Sequence, residues 1–279
     1  MRKFVLFMSF VMFLVLVFPT ATEGSEVKKP DSNDGTLMSS DGLLLPMEEK
    51  FINSLTLDKI DRALNKMGFT DEDTKIMPID LKKEFLKHGG KKVDLKLEES
   101  YIKKSDMESN KDLYEPTDIV YEDDKLVVQA YATYIGSTAT EYKYLYTALY
   151  DWYALPLQRH SDTLAIAWQN HSSAVNGTYE AYYQVGSSWL NSPKSVDISS
   201  LYGTKMDFWL QATSRQYGLL IEEMRIPKTE LGNTGQFAIS YIHPYTAISP
   251  SISIGPVSIS VGSFIGDEYN YRYSYTIGY

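Results

Sequence analysis

Apolar and polar residues alternate clearly in the C-terminal part of the chain, most regularly between residues 142 and 152. One parity of this stretch carries Tyr142, Tyr144, Tyr146, Ala148, Tyr150 and Trp152. A period of two that is rich in tyrosine predicts a β-strand with one aromatic face. The following run, 163–168, is apolar on both parities, which is typical of a strand that is covered on both sides. We therefore expect these two strands near the centre of a β domain.

Further strand signals follow at regular spacing, separated by clusters of Gly, Pro, Asn and Ser. They cover residues 125–134, 141–153, 163–169, 178–185, 206–214, 219–226 and 237–242, and a C-terminal series follows them. About eight to ten short strands without a helical period are typical of a β-sandwich or a β-barrel. The pattern predicts a mainly β protein whose residues 118–279 form an antiparallel β-sandwich or barrel-like domain.

The C-terminal series predicts its own register. Apolar side chains occupy Ile252 and Ile254 on one parity and Val257, Ile259 and Val261 on the other, with a Gly-Pro pair between them. A two-residue turn at that pair places all five on one face and the intervening serines on the other. We expect an antiparallel meander of strands 248–254, 257–265 and 269–279. Its apolar face, tyrosines included, should lie on the domain core, and Asn270 and Arg272 should lie on the other face.

The part of the chain before residue 118 has a different composition. Residues 23–117 carry 37 charged side chains, whereas residues 118–279 carry only 24 and hold 20 of the 22 tyrosines. We expect a disordered linker over 23–46 and a charged connector over 91–117. The range between them, 47–90, predicts three short helices, the first with Leu57, Ile60, Leu64 and Met67 on one face. Because of the composition break, we expect few apolar contacts between these helices and the β domain.

The first 22 residues have the pattern of a secretory signal peptide. Arg2 and Lys3 precede a 15-residue apolar run that ends at Phe18 and is followed by small residues. The run is too short for a stable membrane anchor. We expect a mature chain that is secreted or held on the extracellular face of the cell envelope. The absence of cysteine excludes a disulfide framework and favours a bacterial exported protein.

Charge and motif content exclude several classes of partner. Without residues 1–22 the chain has 25 basic and 36 acidic side chains, a net charge of −11. Nucleic acids and anionic membrane surfaces attract concentrated positive charge, so we expect no nucleic-acid partner. We expect no cofactor, and no paired histidine or cysteine spacing indicates a metal site.

Two constellations are typical of hydrolases, but their spacing does not favour catalysis. His160, Ser161 and Asp162 have the residue types of a triad, yet adjacent side chains point in different directions and cannot relay a proton in a row. Glu222 and Glu223 are neighbours on a predicted strand, so they should face opposite sides of the sheet. We predict no catalytic residues, and the sequence favours a non-enzymatic protein.

The connection between the predicted strands 141–153 and 163–169 is the preferred ligand-binding site, because loops usually carry recognition. Within eleven residues it gathers Trp152, Tyr153, Arg159, His160 and Asp162. The alternating tyrosines themselves have two interpretations. They are either core residues or an exposed platform for sugar rings.

These observations leave three functions open. The first is an exported non-catalytic binding or cell-envelope protein, whose partner is a cell-wall glycan or another surface protein. The alternative is a membrane-active or pore-forming β protein that inserts segment 248–265, since 257–265 reaches the length of a transmembrane strand. A secreted hydrolase is the third.

Overall fold

A computed structural model describes residues 37–104, 119–122, 125–154, 156 and 159–278. The predicted signal peptide and most of the predicted linker, residues 23–36, lie outside this part. Residues 37–46 lie inside it and form a turn, in which Leu44 is buried and bridges both Met38 and Gly90.

Four short helices occupy the range in which the sequence predicts three. They are α1 (Glu49–Ile52), α2 (Leu57–Lys66), α3 (Asp71–Ile76) and α4 (Ile79–His88). Thr70 caps α3 in a reciprocal capping box with Asp73, which satisfies two backbone N–H groups at the helix start. Asp80 lies within the first turn of α4, and Pro78 occupies the N-cap position.

Fifteen strands follow in the described residues, and the protein is mainly β, as predicted. They are β1 (Lys91–Lys92), β2 (Lys96–Lys103), β3 (Ile119–Glu122), β4 (Leu126–Ser137), β5 (Glu141–Trp152), β6 (Ser161–Trp168), β7 (Ser173–Val185), β8 (Ser188–Asn191), β9 (Lys194–Asp197), β10 (Gly203–Trp209), β11 (Gln216–Pro227), β12 (Thr234–Pro244), β13 (Ile252–Gly255), β14 (Ser258–Val261) and β15 (Gly266–Thr276). A 3₁₀ turn at Lys228–Glu230 joins β11 to β12.

The strands form two antiparallel sheets that pack face to face in a sandwich-like arrangement. The first sheet has the order β1-β4-β5-β11-β7-β8, with β3 also paired to β4, and the second has the order β2-β15-β12-β6-β10-β9. The alternating tyrosines lie between the sheets: Tyr146 stacks on Phe237 and Tyr150 on Phe208, with ring centroids 4.5 and 4.2 Å apart. Of the two interpretations of the alternating tyrosines, the core one is therefore correct. Their rings bury a large apolar area between the sheets.

The helices cover the outer face of the first sheet. Phe69, Phe85 and Tyr131 pack edge to face or tilted in a second apolar core, which Leu145, Leu149 and Leu219 also join. The expectation of few shared contacts is therefore wrong. One parity of β5 faces the tyrosine core, and its other parity, with Leu145 and Leu149, supplies the face on which the helices pack.

Residues 91–104, the described part of the predicted charged connector, contribute edge strands to both sheets, and residues 105–117 of that prediction lie outside the described residues. β1 pairs with β4 in the first sheet, and β2 pairs with β15 in the second. Four of the eight residues of β2 are charged, which is common in edge strands because charge opposes association with another chain. Composition alone does not separate such a strand from a linker.

The predicted C-terminal meander is correct in the alternation along each strand, but wrong in its pairing and in the shared apolar face. β13 and β14 form a hairpin, but β15 pairs with β12 and β2. The hairpin turn is centred on Pro256 and Val257, so Ile254 pairs with Ile259 instead of Val257. Tyrosines of β15 face the core between the sheets, whereas Asn270 and Arg272 face outward, as predicted.

Among the described residues, no helix has both the length and the apolar character needed to span a membrane.

Candidate functional site

The most unusual element is the hairpin segment, residues 245–265, which connects two long strands that already pair with each other. β12 and β15 are in register from Thr234–Thr276 to Pro244–Gly266. The hairpin segment therefore adds nothing to this ladder. Instead it folds back along the second sheet as the two-stranded hairpin β13–β14, which packs on the outer side of β6, β10 and β12.

The two faces of the hairpin differ sharply. The side chains of Ile252, Ile254, Ile259 and Val261 are half-buried against the sheet. Ser251, Ser253, Ser258 and Ser260 are exposed to solvent. The apolar face therefore lies on the outer side of the second sheet and not on the core between the sheets, which corrects the predicted location.

The sheet beneath the hairpin is built from small residues, which we call the small-residue bed. Its members are Ala165, Ala167, Gly203, Ala238 and Ser240, which are neighbours across β6, β10 and β12. Gly203 is required for the close approach, since a Cβ there would lie 2.4 Å from Cγ2 of Ile254. Ala165, Ala167 and Ser240 are fully buried although they point away from the core, because the hairpin covers them.

Few polar contacts hold the hairpin on the bed. The backbone N–H of Val257 donates to the carbonyl of Trp168 at 3.1 Å, and the Ser200 hydroxyl donates to the carbonyl of Ile254 at 3.4 Å. Val257 has a φ of 49°, in the left-handed region that β-branched residues avoid. At the other end, Ile248 and Ile265 are 78% and 64% exposed. At this end Lys103 Nζ donates to the carbonyl of Phe264 at 3.3 Å and lies 4.7 Å from the centroid of its ring.

The hairpin segment is also free of charge. No Asp, Glu, Lys, Arg or His occurs between residues 246 and 265. Residues 246–255 and 257–265 form two arms of ten and nine residues in which apolar side chains alternate with small or polar ones. The exceptions are Thr246, Pro250 and Ser263 in the apolar row and Phe264 in the other row. This alternation is typical of strands that face two different environments.

A buried polar cluster lies where β12 ends and the hairpin segment begins. His243 Nδ1 lies 2.9 Å from Asp162 Oδ1, and the Tyr241 hydroxyl donates to Asp162 Oδ2. Trp152 Nε1–H donates to the Tyr241 oxygen at 2.6 Å. Burial raises the pKa of Asp162. Burial also opposes charge on His243, but the Asp162 carboxylate outweighs this effect and raises the His243 pKa. The pair therefore holds its protons more tightly than the free side chains would.

The five residues predicted to bind a ligand do not lie in one environment. Trp152 and Asp162 are buried in the polar cluster, whereas Tyr153 and Arg159 are exposed and His160 is partly exposed. The Arg215 guanidinium lies 4.6 Å from the centroid of the Tyr153 ring and forms an ion pair with Asp151. The ligand-binding role of the five residues stays a prediction, and three of them remain available to solvent.

The two hydrolase constellations do not assemble into a recognisable catalytic site. Glu222 is buried and accepts a hydrogen bond from the Tyr179 hydroxyl at 2.8 Å, while Glu223 pairs with Arg225. The two carboxylates take part in separate contacts, as expected for strand neighbours. Within the described ranges, no group of three or more His, Cys, Asp or Glu residues is arranged to hold a metal ion.

Sequence reasoning did not find the small-residue bed or the polar cluster. The bed residues are spread over three strands, and the cluster joins residues 81 positions apart. The alanines at positions 165 and 167, spaced by two in an otherwise large-residue strand, are the signal that the sequence offered for the bed.

Comparisons with known proteins find little. No family model matches the chain, and no curated protein matches it. The membrane-inserted form of the Clostridium perfringens NetB toxin matches with 7% identity and a TM-score of 0.31, covering 64% of this chain and 97% of that chain. AvmM, described as catalysing macrocyclization in alchivemycin A biosynthesis, matches with 9% identity and a TM-score of 0.21, covering 49% and 88%. Similarities this weak carry no argument about function.

Proposed function

We propose that this protein acts on membranes, and that the hairpin segment leaves the second sheet and enters the bilayer as a β-hairpin. One observation carries the proposal. An uncharged, alternating segment links two strands that pair without it, and it is stored on a bed of small residues. A segment that served only to connect β12 to β15 needs no more than a short turn.

The lengths of the two arms support insertion. A strand that crosses the hydrocarbon core needs about 9 to 11 residues, and the arms have ten and nine. In the inserted hairpin, the Ile and Val row faces lipid and the serine row faces a polar interior. Pro250 lacks an N–H group, so it belongs near an end of the inserted arm or opposite a ladder position that needs no donor.

A single hairpin cannot span a bilayer alone, because its outer edges would leave backbone N–H and C=O groups unpaired in lipid. Insertion therefore requires several copies whose hairpins close a barrel. Association of copies belongs to the proposal.

The energetic cost of release is moderate. The four half-buried Ile and Val side chains contribute roughly 1 kcal/mol each on the sheet. Val257 offsets part of this with its unfavourable backbone conformation, which costs about 1 to 2 kcal/mol. Burial of the same side chains in a membrane offsets the free energy that is lost when they leave the sheet.

Single-cysteine labelling tests the proposal, since the wild-type chain has no cysteine. An environment-sensitive fluorophore on Ile259→Cys should shift to a lipid-like emission when phosphatidylcholine vesicles are added. The same fluorophore on Ser258→Cys, one residue away on the opposite face, should stay in a polar environment. Equal emission from both sites in the presence of vesicles would contradict insertion as an alternating strand.

A second candidate function is binding by a non-catalytic exported protein, with a glycan or a surface protein as the partner. The exposed side chains of Tyr153 and Arg159 favour it, and the Tyr153 ring, with the Arg215 guanidinium 4.6 Å from its centroid, is of the aromatic and arginine type that is common in recognition surfaces. A glycan array and a cell-wall pull-down with the full chain test this function. Retention that is lost in Tyr153→Ala and Arg159→Ala would support it, and absence of retention in the wild type would contradict it.

Both functions place the protein outside the cell. The predicted signal peptide over residues 1–22 supports secretion or attachment to the outer face of the cell envelope.

A further inference from the structure

A cleft of about 350 Å³ lies on the outer side of the second sheet, beside the hairpin tip. We call it the side cleft. One wall comes from edge strand β2 and from β15, with Glu99, Tyr101, Asn270 and Arg272. The other wall is the hairpin itself, at residues 257–259. The volume falls within the range of small-ligand sites.

The polar wall is built from two cross-strand pairs. Tyr101 lies opposite Asn270, and Glu99 lies opposite Arg272, so the four side chains project from the same face of the sheet. Arg272 Nη2 lies 2.7 Å from Glu99 Oε2, and Asn270 Nδ2 donates to Glu268 at 2.5 Å. These contacts fix the orientation of the planar guanidinium and amide groups.

Two atoms of this wall are left without a protein partner. Asn270 Oδ1 and Arg272 Nε are buried, and neither has a hydrogen-bond partner among the described residues. One is an acceptor and the other a donor. Because both atoms are closed to solvent, a ligand in the cleft meets the accessible polar groups of the wall, which are the Arg272 guanidinium, 42% exposed, and the Glu99 carboxylate, 61% exposed.

We propose that the side cleft binds a saccharide unit. The charge of Arg272 is compensated by Glu99, so the wall lacks the free positive charge that an anionic ligand needs. The accessible guanidinium donor beside the accessible carboxylate acceptor suits neighbouring sugar hydroxyls, each of which both donates and accepts. Tyr101 is 50% exposed, and its ring offers an apolar surface for the C–H face of a sugar.

This inference goes beyond membrane insertion and does not depend on it. It does have a consequence for the hairpin, because residues 257–259 form one wall of the cleft. A sugar that contacts both walls binds only the docked state, so it stabilises docking by mass action.

Binding of methyl glycosides to the full chain tests the inference. The methyl glycosides of glucose, galactose, mannose and N-acetylglucosamine are each assayed by saturation-transfer NMR and titration. We expect at least one to bind. Its affinity should fall about tenfold or more in Tyr101→Ala and in Arg272→Gln, as loss of one stacking or hydrogen-bonding group predicts. Phe51→Ala, which changes an exposed aromatic residue of α1 away from the cleft, should bind as the wild type does.

The controls separate binding from folding and from insertion. Tyr101 is half-exposed, so Tyr101→Ala should keep the wild-type melting temperature. Binding is measured without vesicles, and a failure of membrane insertion therefore leaves the result unchanged. The inference is overturned if none of the four glycosides binds, or if binding is kept in both Tyr101→Ala and Arg272→Gln.

Discussion

His243 Nδ1 and Asp162 Oδ1 lie 2.9 Å apart in the buried cluster where β12 gives way to the hairpin segment. Between His243 and the uncharged run that begins at residue 246, Tyr245 is the one other titratable residue. Asp267, at the other end of the segment, also favours charge on this histidine. The buried pair of His243 and Asp162, whose protonation depends on pH, thus lies where the hairpin segment leaves β12.

Stability should fall as the pH rises through the folded pKa of His243. Its pKa is raised in the folded protein, so its contribution is fully present below the unfolded value of about 6.5 and is lost above the folded value. The raised pKa of Asp162 acts in the same direction at lower pH. Melting temperature measured from about pH 6 to pH 9 should decrease in the wild type. His243→Gln should lack this component, and an unchanged pH slope in that variant would contradict the assignment.

Overpacking the small-residue bed should release the hairpin. Ala238→Leu adds volume beneath β14, and overpacking of this kind costs about 1 to 3 kcal/mol. We expect limited proteolysis within residues 246–265 to become roughly tenfold faster, as a change of about 1.4 kcal/mol in opening predicts. Thr276→Leu is the matched control, because Thr276 is exposed at the far end of the same sheet. Equal protection of the segment in both variants would show that Ala238 does not support docking.

A charge on the lipid-facing row should prevent permeabilisation. Ile259→Asp places a carboxylate in the apolar face, where a charge at membrane depth costs about 2 to 4 kcal/mol. Ser258→Asp places the same carboxylate on the serine face, one residue away. Dye release from phosphatidylcholine vesicles should be lost in the first variant and largely retained in the second. The reverse order would contradict the assignment of the two faces.

The helices and the β domain should unfold together. Phe85 is fully buried, and its ring centroid is 5.8 Å from that of Tyr131 in β4. Phe85→Ala should cost about 3 to 5 kcal/mol. All four tryptophans lie in the β domain, so their fluorescence reports its unfolding. A single denaturant transition at lower midpoint is expected, with Phe51→Ala, an exposed position, as the control. An unchanged tryptophan transition in Phe85→Ala would show two independent units.

Much of the strand content followed from the sequence, because the side-chain period of a strand is fixed by its geometry. The parity of Tyr269, Tyr271 and Tyr273 correctly placed them on one face of β15, and parity also separated the serines of the hairpin from its Ile and Val row. The lengths of β5 and β6 were also close to the predicted ranges, whereas β12 is five residues longer than predicted.

Pairing and layering did not follow from the sequence. Parity gives the face of a strand but not its neighbour, so β15 was assigned to β14 although it pairs with β12. The same limit applies to the helices, since an apolar helix face does not say which sheet it covers. At the predicted ligand site, Trp152 and Asp162 proved to be buried because Asp162 pairs with His243, a residue far along the chain. The sequence around the 152–162 loop does not indicate that partner, because His243 lies 81 positions further along the chain.

A reversible lock on the hairpin tests the central claim most directly. The Ser200 hydroxyl lies 3.4 Å from the carbonyl of Ile254, and the chain has no other cysteine to interfere. The double variant Ser200→Cys/Ile254→Cys is designed to hold β13 on the sheet once a disulfide joins the two positions. We predict dye release from phosphatidylcholine vesicles when this variant is reduced, no release when it is oxidised, and release under both conditions from each single variant. Equal release by the oxidised and reduced forms, with the disulfide verified by mass spectrometry, would contradict hairpin insertion, as would a wild-type protein that releases no dye.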